Sequence, residues 1–185
     1  MKLRIIAGQL KRRTIVLPKS ASRFRPTKDI VREAVASMLG RSVQGAVVAD
    51  MCAGSGAFGF EMISRGAQTV HFVEINRERC RGIASHAHRF DVESRCTISA
   101  VDIRSYLKAC SLLFDIIYYD PPYDSEELVA LIPDILPLLA KKGMMIFEYG
   151  EVNRYGDMLA DDEIPDYSRD IRKFGKTALC CFTRH

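Results

Sequence analysis

The stretch Ala46-Val47-Val48-Ala49-Asp50-Met51-Cys52-Ala53-Gly54-Ser55-Gly56-Ala57-Phe58-Gly59 decides the fold class. Its four opening apolar residues read as a strand buried on both faces, ended by a carboxylate at Asp50. Gly54 and Gly56 let the backbone pass close under a ligand before it turns into a helix with an electropositive N-terminus. As a string, Gly54-x-Gly56-x-x-Gly59 satisfies the dinucleotide fingerprint, and Glu74 stands about the right distance onward to hold ribose hydroxyls. Taken alone, this motif leaves a nicotinamide cofactor open.

Downstream, strands and helices alternate. A helix over about Ala57 to Ser64 leads to a strand over Thr69 to Val73 that ends at Glu74. Asn76 can cap a helix reaching about Arg89. Cys96 to Val101 is a third strand, ending at Asp102, and Arg104 to Ala109 a short helix. Phe114 to Tyr119 is a fourth strand, ending at Asp120. A helix is expected over about Glu126 to Leu139, kinked or divided by Pro133 and Pro137. Met144 to Tyr149 is a fifth strand. Such alternation predicts an α/β fold, a parallel sheet with helices on both faces. Tyr167 to Phe174 and Thr177 to Thr183 flank Gly175-Lys176 and read as a terminal antiparallel hairpin.

Upstream, Thr27 to Leu39 carries a helical apolar face, with Thr27 as its N-cap and Gly40 as its stop. The residues before it are strongly basic. Residues 1–28 contain Lys2, Arg4, Lys11, Arg12, Arg13, Lys19, Arg23, Arg25 and Lys28, and no acid. Residues 29–185 hold the other 18 basic side chains against all 23 acidic ones, a net of −5 under an overall charge of +4. This polarisation is a footprint for a polyanion. Ile5, Ile6, Leu10, Ile15, Val16 and Leu17 are interleaved with the charges. That suggests an ordered hairpin arm over residues 1–26, turning near Gly8 to Arg13, ahead of a catalytic domain over 27–185. Arg4, Lys11, Arg12, Arg13, Arg23 and Arg25 are its candidate nucleic-acid contacts.

Composition narrows the class further. With 48% hydrophobic and 27% charged residues, 185 residues suffice for one globular core. No apolar run is long enough to span a membrane, and the start, broken by Arg4, does not read as a signal peptide. A cytoplasmic location with no membrane partner is expected. Cys52, Cys80, Cys96, Cys110, Cys180 and Cys181 form no C-x-x-C pair and read as free thiols of a reducing compartment. The four histidines lack metal-ligand spacing, so no metal is expected.

Asp50, Glu74, Asp102 and Asp120 each end a predicted strand. In an open parallel sheet such ends share one rim, beside which ligands bind. Asp50-x-x-x-Gly54-x-Gly56 is the form used by methyltransferases. In that reading Glu74 accepts from both ribose hydroxyls of S-adenosylmethionine and Asp102 from its adenine amine, with Ala53 and Ser55 in the same loop. Asp120-Pro121-Pro122-Tyr123 discriminates best. Two prolines remove two backbone donors and stiffen the loop, leaving the Asp120 carboxylate and the Pro121 carbonyl as fixed acceptors. An aromatic amine is a poor nucleophile because its lone pair is delocalised. Two acceptors aimed at its N–H bonds orient that lone pair, and Asp120 can take a proton. Tyr123 supplies a stacking platform for an unstacked base.

On these motifs the chain resembles the RsmD family over almost its whole length. The similarity includes Arg4-Ile5-Ile6-Ala7-Gly8, Arg25-Pro26-Thr27, Val31-Arg32-Glu33-Ala34, Asp50 to Gly59, Ser64-Arg65-Gly66-Ala67, Phe72-Val73-Glu74, Asp120 to Tyr123 and Gly175-Lys176-Thr177. The resemblance implies a Rossmann-like class I methyltransferase with a mostly parallel seven-stranded sheet, a C-terminal antiparallel hairpin and an N-terminal β-hairpin arm for RNA. It implies methylation of guanine N2 in 16S ribosomal RNA, on an assembled small ribosomal subunit, with S-adenosyl-L-homocysteine as by-product. A monomer is expected. Met51-Cys52 stands where the family more often has a hydrophobic residue followed by Phe, a change of packing beside the cofactor. DNA or RNA adenine-N6 methylation is the nearest rival, because the same loop serves both amines. A recognition domain for base edges is not evident, since only about 28 basic-rich residues precede the fold. An oxidoreductase leaves Asp120 to Tyr123 unexplained. A non-catalytic RNA-binding module leaves the acidic rim unexplained.

Overall fold

The computed structural model describes residues 2–16, 29–122, 125–150 and 164–185. Strands β3 (Val47–Met51), β4 (Thr69–Val73), β5 (Cys96–Ser99), β6 (Phe114–Tyr119) and β7 (Leu139–Gly150) pair in parallel. β9 (Thr177–Arg184) joins β7 antiparallel, and β8 (Tyr167–Phe174) joins β9 antiparallel. The sheet order is β5-β4-β3-β6-β7-β9-β8. The chain thus winds outward from β3 to β5 and then returns to place β6 against the other side of β3. The switch point between β3 and β6 opens the crevice in which such sheets bind ligands.

Helices cover both faces. The hairpin, α1 (Asp29–Leu39), α2 (Ala57–Ser64) and α3 (Arg77–Phe90) bury one core with Val48, Val70, Phe72 and Tyr118. α4 (Ile103–Ala109), α5 (Glu126–Val129) and α6 (Ile132–Ile135) bury the other with Met51, Ile117, Tyr119 and Phe147. Gly59 sits where α2 crosses β4: a Cβ there would lie 2.2 Å from Phe72 Cε1 and 2.9 Å from Val70 Cγ1. The third glycine of the motif therefore serves helix-to-sheet packing.

Three of the boundaries that differ from the sequence reading have a local reason. β5 stops at Ser99, because Asp102 turns away to cap α4, accepting from Arg104 N at 2.8 Å. The helix expected over Glu126 to Leu139 is divided into α5, α6 and a 3-10 turn over Leu136–Leu138, with a proline at the start of each of the last two pieces. β7 begins at Leu139 rather than Met144, since Leu139 already pairs with Phe114 before a register shift. Thr27, the expected cap of α1, lies outside the described residues. Asn76 caps α3 as expected, accepting from Glu78 N and Arg79 N.

The N-terminal hairpin pairs β1 (Lys2–Arg4) with β2 (Thr14–Val16). Leu3, Ile5, Leu10 and Ile15 are buried in the first core, each worth about 1.5–3 kcal/mol before ordering costs. Polar clamps complete the attachment. Glu61, fully buried on α2, accepts from Ile6 N at 2.7 Å and Ala7 N at 3.1 Å. Ser64 Oγ accepts from Leu10 N and donates to Ala7 O, and Ser64 O accepts from Gln9 N at 2.8 Å. Gly8 passes so close that a Cβ would fall 1.8 Å from Ser64 O. At the far end, His86 Nε2 accepts from Val16 N at 3.0 Å. That bond needs a neutral ring, which burial favours by holding the His86 pKa low. Arg89 donates to Thr14 O. No described helix is long and apolar enough to cross a membrane.

Candidate active site

The carboxyl ends of β3, β4 and β6 and the turn after β5 enclose a cleft of about 550 Å³. Asp50, Ala53, Gly54, Ser55, Glu74, Asp102, Asp120, Pro121 and Pro122 all line it. Residues separated by up to 72 positions are brought together because β3 lies between β4 and β6. Gly56 stands just behind the wall at φ +73, N-capping α2, with Ile83, Phe60 and Phe72 within 3.2 Å of where its Cβ would be. Arg4, Lys11, Arg12 and Arg13 are exposed on the hairpin and do not line the cleft. Tyr123, Arg23 and Arg25 lie outside the described residues.

The carboxylates are not equivalent. Asp50 is 2% exposed, and its Oδ2 accepts from Gly59 N at 3.0 Å, which ties the strand end to α2. Burial raises its pKa from 3.8 to about 8; the Gly59 N–H opposes the rise and the Glu74 charge adds to it. The folded protein then holds a proton that the unfolded chain releases. This group's contribution to stability is full below pH 3.8 and is lost as pH rises towards 8. Asp50→Asn should flatten the stability–pH profile of the cofactor-free protein across that window, read by thermal unfolding at several pH values. A profile unchanged by the substitution would mean that Asp50 is ionised throughout.

Glu74 holds the glycine loop in place: its Oε2 accepts from Gly54 N at 2.8 Å and its Oε1 from Asn76 N at 2.8 Å. Arg79 Nη1 stands 3.6 Å from Oε1. Asp120 is half-buried at the end of β6, its N–H reaching Met51 O at 3.4 Å. Pro121 is buried and Pro122 exposed, and the Pro122 carbonyl accepts from Ser125 N at 3.2 Å. This bond starts α5 and fixes the exit of the loop.

Cys52 registers the field of the cleft. Burial first, then the charges of Glu74, Asp120, Asp50 and Asp102, push its thiol far above the usual range. The carboxylates that line the cleft, Glu74, Asp102 and Asp120, favour a cationic ligand group. Sequence reasoning missed several wall residues. Ile75 and Val101, exposed at 64% and 39%, flank the Glu74 and Asp102 side. Phe58 stacks on Tyr118 with centroids 4.1 Å apart, and Tyr118 OH donates to buried Glu148. Arg32 of α1 is 1% exposed, yet lines the cleft and donates through Nη2 to Arg4 O at 3.2 Å. An available signal was position: Ile75 directly follows a rim carboxylate, and Val101 directly precedes one.

Among known proteins, the family model described as conserved hypothetical protein 95 matches residues 3–183. The Bacillus subtilis protein "Putative rRNA methyltransferase YlbH" is 29% identical over 152 residues, covering 80% of this chain and 82% of that protein. Ribosomal RNA small subunit methyltransferase D of Escherichia coli (strain K12) is 29% identical over 136 residues, 72% of this chain and 68% of its own length. Among solved structures, the "Putative methyltransferase yhhF from Escherichia coli" superposes with a TM-score of 0.86 at 22% identity, over 100% of this chain and 99% of that one. At that identity the likeness establishes the fold. Matched by the family model from residue 3 to residue 183, with the fold and the rim that its motifs imply, the chain belongs to the conserved hypothetical protein 95 family, that of the RsmD-like methyltransferases.

Proposed function

We propose that this chain transfers a methyl group from S-adenosylmethionine to the exocyclic N2 of a guanine in 16S ribosomal RNA. Its substrate is the assembled small ribosomal subunit, and it acts as a cytoplasmic monomer. The observation that carries the reading is the position of Asp120-Pro121-Pro122 at the switch point, across the cleft from the glycine loop and Glu74. The acidic wall and the cleft volume fit a cofactor with a cationic sulfonium and a nucleoside. Glu74 and Asp102 would hold the ribose and adenine, with Asp50, Ala53, Gly54, Ser55 and Gly56 shaping the loop beneath. When bound, the cofactor supplies an electrophilic methyl.

Asp120 and the Pro121 carbonyl accept the two N–H bonds of the base amine. The nitrogen lone pair is thereby freed from the ring and directed at the methyl carbon. Asp120 would take the proton that the amine nitrogen releases on methylation. Tyr123 would stack on the base. The small-subunit RNA assignment is supported by the name of the Escherichia coli relative; the guanine assignment rests on the resemblance to the RsmD family, since adenine and cytosine also carry an exocyclic amine.

Incubation with labelled cofactor and unmodified small subunits, followed by nucleoside analysis, tests the proposal. N2-methylguanosine is expected. N6-methyladenosine would favour the adenine reading, and no label in RNA would overturn both. S-adenosylmethionine should also raise the melting temperature; stabilisation by NAD alone would sink the cofactor assignment. Neutralising Lys11, Arg12 and Arg13 together should weaken RNA binding and reduce its salt slope by about 2 to 3 units, with cofactor affinity unchanged. An unaltered slope would assign the hairpin another role.

A further inference from the structure

We propose that the tip of the β8–β9 hairpin, with Lys173 near the end of β8 and Lys176 in the turn, is a second contact for the substrate's phosphodiester backbone, on the opposite side of Asp120 from the cofactor half of the rim. The proposal rests on the RNA reading above. In sheet order the rim presents Asp102 beyond β5, Glu74 at β4, Asp50 at β3 and Asp120 at β6. β7 pairs with β6 as far as Phe147 and runs three residues further to Gly150, which pairs with Thr177, the first residue of β9. Thr177 in turn pairs with Phe174, the last residue of β8. The Gly175-Lys176 turn therefore stands on the same rim as Asp120. Two strand spacings of about 4.8 Å separate β9 from β6, and Thr177, paired with Gly150, stands about two residues or roughly 7 Å beyond the level of Asp120, so the turn lies on the order of 12 Å from Asp120. A nucleotide whose base enters the cleft has its neighbouring phosphates within that range.

Charge changes sign along this line. Among the described residues, Glu74, Asp102 and Asp120 line the β5-β4-β3-β6 half beside buried Asp50, whereas Lys173 and Lys176 are exposed at the β9-β8 end. Among the described residues neither lysine pairs with a carboxylate, while Arg172 beside them is bound to Asp170 at 2.8 Å. The platform is rigid. Thr177, Ala178, Leu179, Cys180 and Phe182 of β9 are buried. The loop has only two residues, with Gly175 at φ +63 and no positive φ at Lys176, the pattern of a type II′ hairpin turn. A lysine held at the tip of a tight, core-anchored turn loses less entropy on gripping a phosphate than one on a loose tail. The Gly175-Lys176-Thr177 motif thereby gains a role that the cleft does not give it.

The test measures binding of full-length protein to fluorescently labelled, unmodified small ribosomal subunits across a salt series. Wild type, Lys173→Gln/Lys176→Gln and the Lys11/Arg12/Arg13 neutralised variant are compared. The double variant should lower the slope of log K against log salt by about 1.4 to 1.8 units, and this loss should add to that of the hairpin variant. Cofactor affinity and melting temperature should stay at wild-type values, with KM for RNA raised and kcat retained. A wild-type slope in the double variant, with the hairpin variant still impaired, would overturn this proposal alone. Salt-independent or undetectable binding by wild-type protein would overturn the RNA reading and this proposal with it.

Discussion

Replacing Asp120 with alanine should lower methyl transfer by at least about a hundredfold, while affinity for S-adenosylmethionine stays within a few-fold. The separation of effects follows from the geometry. The glycine loop is held by Glu74 through Gly54 N and by Asp50 through Gly59 N, neither of which involves Asp120. Asp120 instead sits one strand over, at the end of β6, next to the proline whose carbonyl is proposed as the second acceptor. Its removal takes away both the orientation of the amine and the proton acceptor, leaving the cofactor's seat intact. Asp120→Asn keeps an acceptor oxygen but not the charge, so it should fall between wild type and alanine. Single-turnover transfer from labelled cofactor, with binding followed by calorimetry, checks both halves. Retained turnover in Asp120→Ala would remove the residue from the reaction. A parallel collapse of cofactor affinity would make it part of the cofactor seat.

The second large effect should come from Glu61→Ala, far from the chemistry. One fully buried carboxylate accepts from Ile6 N, Ala7 N and Arg65 Nε, the last at 2.8 Å. Its loss leaves two backbone donors without their acceptor where the hairpin turns, and should destabilise the protein by about 2 to 4 kcal/mol. The damage should concentrate at the hairpin. Trypsin should cut at Lys11, Arg12 and Arg13 sooner than in wild type, and RNA affinity should fall with cofactor affinity kept. Glu61→Gln retains one acceptor oxygen and should recover part of each loss. Uniform destabilisation, with hairpin cleavage no faster than that of the rest of the chain, would mean that Glu61 is an ordinary core support rather than the hairpin's clamp.

How far the chain was legible varied with the range of the interactions involved. The run Ala46 to Gly59 announced its strand, turn and helix because each feature is local. Apolar continuity specifies a strand buried on both faces, and glycine permits the positive φ found at Gly54 and Gly56. Asn76 was readable as a cap for the same reason. Val101 and Leu139 were misplaced because a strand's limit depends on its neighbour. β5 ends where Asp102 turns to cap α4, and β7 begins early because Phe114 offers Leu139 a partner.

The candidate site was legible as a set of residue types but not as a set of states. Four strand-ending carboxylates could be listed by number, yet nothing in their spacing distinguishes buried Asp50, whose pKa rises to about 8, from Glu74, which braces the loop. Arg32, Phe58 and Tyr118 reach the cleft from α1, α2 and β6, and their place in its wall exists only once those elements pack.

The sequence by itself determined the alternation, the glycine loop, the Asp120-Pro121-Pro122 loop and the basic character of the N-terminal hairpin, because backbone sterics and short-range hydrogen bonding act within a few residues. Only the tertiary structure decided that the hairpin is bolted to α2 and α3 through Glu61, Ser64 and His86, across 54 to 70 positions of chain. It alone set Lys176 on the same rim as Asp120. Both depend on which strands lie side by side, and that is chosen by the burial of whole faces rather than by any local pattern.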